Sequence, residues 1–585
     1  MREYRVNREQ KSGSARSRRE FLRLAGTGIL GGGILGSVFF QPENACAQMA
    51  DLRKSRRNIG MEEPGLVWID AEDFSSYGGW LLDTQFTHLM GSGYLIAAGI
   101  GDPVDDATVR FELPEAGTYH LWVRNKNWLK GHAPGRFRVM VNGEPSRTLG
   151  VADTEEWTWQ MAGSFDLRKG KVRMVLRDLT GYYGRCDALV LAKDPDYTPP
   201  EDVKRIQQER ARLTGLSLEP QHEGDYDFVV VGAGAAGCAA AIAAARLGAG
   251  TALINNRPVL GGNASKELGV GIAGAANGHR NAREGGIIEE AGRIKAENGY
   301  PRMSEAFRTL TKREDNLDVV DNMNVIDVSR DDGRITQVTA MHTLNNTRHT
   351  YGAELFADCT GDGWLGYYGD ADYRYGREAR AVYDEELAPE APDNITLSGC
   401  IMHHSVLCGY RAAEQERTVR YEAPEWAPDF TSAENFGRRV GSVQTGSWWL
   451  EHEGTIDDVW NKEKARDELI RISLGYWDYV KNTSPAQDRA ANYELSFVPI
   501  GLARRENRRL MGDSVMTQQD VEGARRFPDR ISYGGWPIDL HHPEGIYSGK
   551  EGFFQVQRHL PIYTVPFRSL YSKVISNLMF AGRAM

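Results

Sequence analysis

Two stretches of the chain hold residue types suited to proton and anion chemistry. Arg504 to Arg509 reads RRENRR, four arginines around Glu506, and WPIDLHHPEG supplies Asp539, His541 and His542. Arginine holds carboxylates through two parallel hydrogen bonds, and histidine exchanges a proton near neutral pH. Together they suit an anionic or hydroxyl-rich substrate, which makes His541, His542, Arg504 and Arg508 the candidate catalytic residues. Each also has a structural reading: the arginines as helix-solvating or domain-bridging groups, the histidines as a surface turn. His403-His404 sits in an apolar run and reads as a core pair, and Trp448-Trp449 suits either a sugar-sized pocket or burial. No G-x-S-x-G elbow, H-E-x-x-H helix or Walker loop is present, which sets hydrolase and kinase readings aside.

Upstream lies DYDFVVVGAGAAGCAAAIAAARLGAGTALIN. An apolar strand over Asp227–Val231 runs into Gly232-x-Gly234-x-x-Gly237, an Ala-rich helix follows, and a second strand spans Thr251–Ile254. This is the strand, glycine turn, helix and strand that a dinucleotide-binding fold requires. Gly232 allows the tight turn, Gly234 lets backbone approach a pyrophosphate, and Gly237 lets helix pack on sheet. The helix N-terminus adds free N–H groups and partial positive charge. Asn255 stands where an acidic residue usually holds the ribose. Its amide oxygen still accepts a hydroxyl proton, without the charge that would repel a 2′-phosphate.

Five segments together decide which dinucleotide: RPVLGGNAS (Arg257 to Ser265), ELFADCTGDGWLGYYGDADYRYGRE, RRENRRLMGDSVMTQQDV, YGGWPIDLHHPEGIY and VPFRSLYSKVISNLMFAGRAM. From about Asp225 onward the chain resembles the FAD-dependent oxidoreductases found widely in glycan-degrading bacteria, a branch of the glutathione-reductase-like two-dinucleotide-fold superfamily. The resemblance implies FAD, with Gly232, Gly234 and Gly237 at the pyrophosphate, Asn255 at the adenosine ribose and Arg257 near the adenosine. It places Gly261, Gly262, Asn263 and Ser265 under or beside the isoalloxazine, and Thr360-Gly361-Asp362 over the adenosine side. Gly582 and Arg583 would approach the cofactor on a returning strand. In relatives a flavin-binding helix follows that strand, so the sequence as written is expected to be truncated and to bind FAD weakly.

The elements that position these residues fall into successive bodies. Residues 1–47 hold SRREFLR, the apolar run Ala25 to Phe40 and the A-x-A site Ala45-Cys46-Ala47. They resemble a twin-arginine export signal, implying a periplasmic or extracellular protein. Over 65–193, short alternating segments such as ATVRFELP and GKVRMVLRD predict an antiparallel β-sandwich. WIDAEDF and RCDALVL resemble the outer strands of jelly-roll carbohydrate-binding modules, in which acidic residues hold a structural calcium; Glu72 and Asp187 take those places. Trp157 and Trp159 read as core, and Tyr182-Tyr183 as a ligand platform. Residues 194–223 form a linker or bracing helix that separates the bodies cleanly. FAD-binding segments over 224–381 and 556–585 then flank an inserted α+β substrate cap over 382–555, giving an α/β Rossmann-type fold.

A net charge of −10 gives no reason to expect nucleic acid, and no later segment is long and apolar enough to span a membrane. The scattered cysteines form no C-x-x-C or zinc pattern, although Cys400 and Cys408 are close enough in sequence to pair. The expected protein is an exported FAD-dependent oxidoreductase acting on a saccharide-related or hydroxy-acid substrate by hydride transfer to or from flavin. The alternatives are a secreted glycan-binding protein with an inactive flavin domain, and an NAD-dependent enzyme. Oligomeric state is left open.

Overall fold

The computed structural model describes residues 59–401, 410–430, 436, 440–444, 446 and 449–585. The export signal, His403-His404, Cys408 and Trp448 lie outside them.

Among the described residues, ten strands build the N-terminal body: β1 (Leu66–Asp70), β2 (Leu81–Asp83), β3 (Tyr94–Ala98), β4 (Ala107–Leu113), β5 (Gly117–Lys126), β6 (Phe137–Val141), β7 (Glu144–Pro145), β8 (Trp157–Leu167), β9 (Gly170–Asp178) and β10 (Tyr182–Ala192). One sheet runs β2-β3-β10-β5-β8, with β1 also paired to β10, and the other runs β4-β9-β6-β7. Every pairing is antiparallel. In β4 burial alternates toward its end, as expected when one face meets solvent. In β10 ten of eleven residues are buried. The reason is that both faces of the first sheet are covered, one by the second sheet and the other by later parts of the chain.

That covering differs from the clean separation read from sequence. The bracing helix Val203–Thr214 packs Ile206 and Leu213 on Trp68, Val190 and Ala192. Arg210 on the same helix forms a buried ion pair with Asp70, Nε to Oδ1 at 2.9 Å. Beside it, Tyr94, Ile96, Trp128 and Tyr183 of the sandwich share one hydrophobic core with Ala465, Leu469, Ile472 and Tyr476 of the long helix Lys462–Asn482. Within this contact sits a charge-balanced cluster. Arg185 reaches Glu463 at 2.7 Å and pairs with Asp467, Arg466 reaches Asp83 at 2.8 Å, and Lys126 reaches Glu463 at 2.9 Å. Three cations face three carboxylates out of water, which is the condition under which buried charge is tolerated.

The second body is a seven-stranded sheet built on β11 (Gln221–Val231), β12 (Thr251–Ile254), β13 (Leu317–Val320), β14 (Met323–Asp331), β15 (Arg334–His342) and β16 (Arg348–Asp358), ordered β13-β12-β11-β16-β15-β14. The β13, β12, β11 and β16 neighbours are parallel, and β14-β15-β16 form an antiparallel meander. A short strand at Leu578–Phe580 adds in parallel to the end of β16. It thereby delivers Gly582 and Arg583 beside the C-terminal ends of the parallel strands, where ligands of open α/β sheets bind.

Candidate functional site

The glycine turn separates packing glycines from an open one. Gly232 has φ +100°, and a Cβ on it would lie 2.4 Å from the carbonyl oxygen of Cys359; on Gly237 it would lie 1.9 Å from the Gly232 oxygen. Gly234 differs, because a Cβ there meets nothing within 4 Å. It is the N-cap of the helix Ala235–Arg246, has no side-chain cap, and has no acidic residue in the turn that follows. Gly261 donates its N–H to Ala233 at 2.8 Å, Gly262 packs against the Gly234 Cα, and Gly582 packs beside Ala236. Three small-residue segments thus converge on one bare helix N-terminus, a cradle that a side chain would fill and that suits the pyrophosphate of a dinucleotide.

Next to the cradle is a cationic node. Asp362, fully buried, accepts from Arg583 Nη2 at 2.9 Å, Asn507 Nδ2 at 3.2 Å and Lys462 Nζ at 3.3 Å, and pairs with Arg504. Asn507 also donates to Asp458 at 3.1 Å. Burial governs the protonation here. It pushes Lys462 down to about 7 and Arg583 down to about 10, and lifts Asp458 to about 6. Arg504 is drawn well below the ordinary arginine value by burial and by Arg583 and Arg257 nearby. Burial thus disfavours the charged forms of these groups, with neighbouring cations adding to the effect at Lys462 and Arg504.

A carbonyl joins this node to the second constellation. The Arg504 oxygen accepts from Asn263 Nδ2 at 2.9 Å and from Arg583. On the next residue, Arg505 Nη1 reaches His541 Nε2 at 2.8 Å and Glu451 Oε1 at 3.1 Å. His541 Nδ1 lies 2.8 Å from Glu451 Oε2, and Asp539 lies 3.6 Å from its Nε2. Burial opposes charge on this imidazole, but the bonds to Asp539 and Glu451 outweigh it and raise the pKa. In the neutral ring Glu451 keeps the proton on Nδ1 and Nε2 accepts from Arg505; in the charged ring both nitrogens carry protons, facing Glu451 and Asp539.

The sequence-derived residues fare unevenly in this geometry. Arg508 is enclosed by aromatic rings. Its guanidinium lies 4.3 to 5.8 Å from the Tyr367, Trp364, Tyr373 and Trp460 rings and donates to the carbonyls of Asp362 and Gly363, a cation–π cage behind the node. His542 pairs with Glu551 at 2.9 Å, away from the His541 cluster. Asn255 uses its amide as a donor, to the carbonyls of Arg257 and Val259 and to Asp321. These bonds shape the loop after β12, and an aspartate could not make them. Ser265 is fully buried and its hydroxyl accepts from Glu267 N, while Arg257 is paired with Glu267.

Glu72 and Asp187, the residues expected to hold calcium, are engaged by protein groups. Asp187 is taken by Arg124 at 2.6 Å and Ser92 at 2.8 Å, and Glu72, lifted well above the carboxylate range by burial and by Asp70, bonds Asn346. Among the described residues no group of three or more His, Cys, Asp or Glu side chains is placed to hold a metal ion. Tyr182-Tyr183 is no open platform: Tyr183 is fully buried and Tyr182 meets Trp426 edge-on at 5.2 Å. Trp159 lies in the core as expected, and Trp157 Nε1 donates to Glu463. The sequence reading missed Glu451, Asp458 and Lys462. Their signal is their three-dimensional convergence, since they stand some 40 to 100 residues from Asp362, Asn507 and His541.

Residues 227–585 match the family model described as FAD dependent oxidoreductase. A tRNA uridine 5-carboxymethylaminomethyl modification enzyme, MnmG, of Clostridium botulinum is 31% identical over 161 residues, covering 24% of this chain and 24% of that protein. The chain therefore spans about a quarter of the length of the curated relatives it matches. Among solved structures, the glycerol-3-phosphate dehydrogenase of Bacillus halodurans complexed with FAD is 16% identical, with 28% of this chain and 42% of that one covered and a TM-score of 0.20. A family 35 carbohydrate binding module from Clostridium thermocellum is 21% identical, with 22% and 96% covered and a TM-score of 0.19.

Proposed function

The chain belongs to the FAD dependent oxidoreductase family, and from that premise we propose that it oxidises or reduces a small anionic, hydroxyl-bearing molecule of the hydroxy-acid or uronic-acid kind. One observation carries the reading. Arg505, His541 and Glu451 form a hydrogen-bonded trio one residue from the Arg504 carbonyl that Asn263 of the glycine loop holds.

When bound, FAD supplies the two-electron chemistry. The cradle at Gly234, Gly262 and Gly582 holds its pyrophosphate, and Arg504 and Arg583 balance the negative charge. The chain's remaining task is to bind the anion and move a proton. Arg505 exchanges its bond to His541 for a fork to the substrate carboxylate. His541 Nε2 is then available to take the hydroxyl proton during oxidation, or to return it during reduction. Glu451 fixes the imidazole tautomer from Nδ1 and stabilises the imidazolium that forms. Export through a twin-arginine route is part of the proposal and rests on the motif Ser17 to Arg23; among the described residues no helix is long and apolar enough to cross a membrane. Anaerobic mixing of the FAD-loaded protein with hydroxy acids and uronic acids tests the reading. The visible flavin band should bleach with at least one anionic member and with none of the neutral sugars.

A further inference from the structure

The family match begins at residue 227, so the sandwich lies outside it, yet one sandwich loop reaches the wall of the candidate site. Gln85 follows β2 and precedes the short helix Thr87–Met90. Its Nε2 donates to the carbonyl of Ile500 at 2.9 Å, and its Oε1 accepts the N–H of Leu502 at 3.0 Å. A neighbouring β-strand would bond the same carbonyl and amide pair, so one side-chain amide replaces a strand here. Asp83 fixes the amide by accepting from Gln85 N at 3.0 Å and from Nε2 at 3.1 Å. Asp83 is itself anchored by Arg466 at 2.8 Å.

The clamped segment leads directly into the site. Gly501, between the two bonded groups, sits where a Cβ would lie 2.9 Å from Leu268 of the loop that carries Asn263. Leu502-Ala503 pairs with Cys400-Ile401, and Arg504 and Arg505 come next. Three residues past Gln85, His88 supplies a second anchor: it lies 3.2 Å from Lys462 Nζ and packs edge-on to Trp364 at 4.7 Å. Lys462 belongs to the node around Asp362, and Trp364 to the aromatic cage of Arg508 behind it.

We propose that Gln85 is a positioning residue of the oxidoreductase site. Acting across the domain boundary, it holds the Ile500 to Leu502 backbone in the register that places the Arg504 carbonyl on Asn263 and the Arg505 guanidinium at His541. The sandwich is on this account a working part of the flavoenzyme and not an appended binding module. The inference rests on the family's use of FAD and on the wall described above.

The test titrates FAD into the full chain carrying Gln85→Ala, with the wild type and Thr118→Ala, an exposed sandwich substitution remote from the wall, as references. Binding by the wild type checks the premise separately. Gln85→Ala is expected to bind FAD about tenfold more weakly, equivalent to ~1.4 kcal/mol. It should also give bound flavin an altered visible spectrum, which simple destabilisation would not. Thr118→Ala should match the wild type in both. An unchanged dissociation constant and spectrum in Gln85→Ala overturns the proposal, as does equal weakening by Thr118→Ala. If Gln85→Ala does not fold, Gln85→Glu decides. It keeps an acceptor for Leu502 but cannot donate to Ile500, so weakened binding supports the role and wild-type binding overturns it.

Discussion

Asn263 Nδ2 donates to the carbonyl oxygen of Arg504 at 2.9 Å, and this bond joins two halves of the site that lie 241 residues apart in sequence. On one side is the glycine loop that lines the helix N-terminus. On the other is the segment whose next residue, Arg505, bonds His541. One side-chain-to-backbone bond thus sets the spacing between the glycine loop and the Arg505–His541 pair, and changes made within either half should separate in their effects.

The glycines make the first separation. Gly237→Ala drives a Cβ into the Gly232 carbonyl and should destabilise the fold by at least ~3 kcal/mol. Gly234→Ala projects into open space, so its thermal unfolding should match the wild type while FAD affinity falls by roughly 10- to 100-fold, as amide-to-anion bonds are blocked. Calorimetry and fluorescence titration on the two variants check both halves.

The arginines make the second. Arg508 lies in an aromatic cage and Arg505 beside His541. Lysine keeps the charge at each place but loses the planar fork and stacking surface. Arg508→Lys should lower Tm by about 1 °C for each kcal/mol lost in a unit of this size and leave KM alone. Arg505→Lys should raise KM about tenfold with Tm unchanged. The reverse pattern would exchange the roles assigned to them.

The pH profile follows from His541. Its hydrogen bonds to Asp539 and Glu451 overcome burial and raise the pKa. As a base it acts when deprotonated, so substrate-driven flavin reduction should rise with pH through a midpoint above the ordinary histidine value of about 6.5. Glu451→Gln should move that midpoint down, and His541→Gln should remove the limb. The stability contribution has the opposite sense. A raised folded-state pKa stabilises fully below the unfolded value and is lost as pH rises through the folded one. Denaturation at pH steps on either side of neutrality reads this term in the wild type and its absence in His541→Gln.

The glycine turn was legible because all of its chemistry is local: strand, turn and helix are contiguous, and each glycine answers one steric demand. RRENRR was legible as a cationic segment but not as a set of roles. Its arginines leave an irregular, bent backbone toward different partners, Arg504 to Asp362, Arg505 to Glu451 and His541, and Arg508 to the aromatic cage. Those partners come from distant parts of the chain, so spacing could not sort them. Asn255 shows the same limit: an amide presents both a donor and an acceptor, and the carbonyl and carboxylate partners that take up its donor appear only once the loop is folded. The sandwich's alternation revealed its two sheets. Aromatics on a sheet face look the same whether they await a sugar or another domain, so the burial of Tyr183 and Trp128 under the cap left no local mark.

That covered face yields a further expectation. Arg185 is fully buried between Glu463 and Asp467, and Arg185→Met leaves the buried cluster one cation short of its three carboxylates, at a cost of about 3–5 kcal/mol. Because the cluster joins the sandwich to the helix Lys462–Asn482, chemical denaturation of the wild type followed by sandwich tryptophans and by bound flavin should show one shared transition, shifted as a unit in the variant. Two well-separated transitions in the wild type would contradict a shared core.

The most direct measurement is an anaerobic spectral titration of the FAD-loaded full chain with hydroxy acids, uronic acids and neutral sugars, run in parallel on His541→Gln. The account predicts that flavin binds, that an anionic hydroxylated compound bleaches its visible band in the wild type, and that His541→Gln binds the same compound with reduction slowed by about 10²- to 10⁴-fold. Tight flavin binding with reduction equally fast in His541→Gln, or with neutral sugars alone, would contradict it.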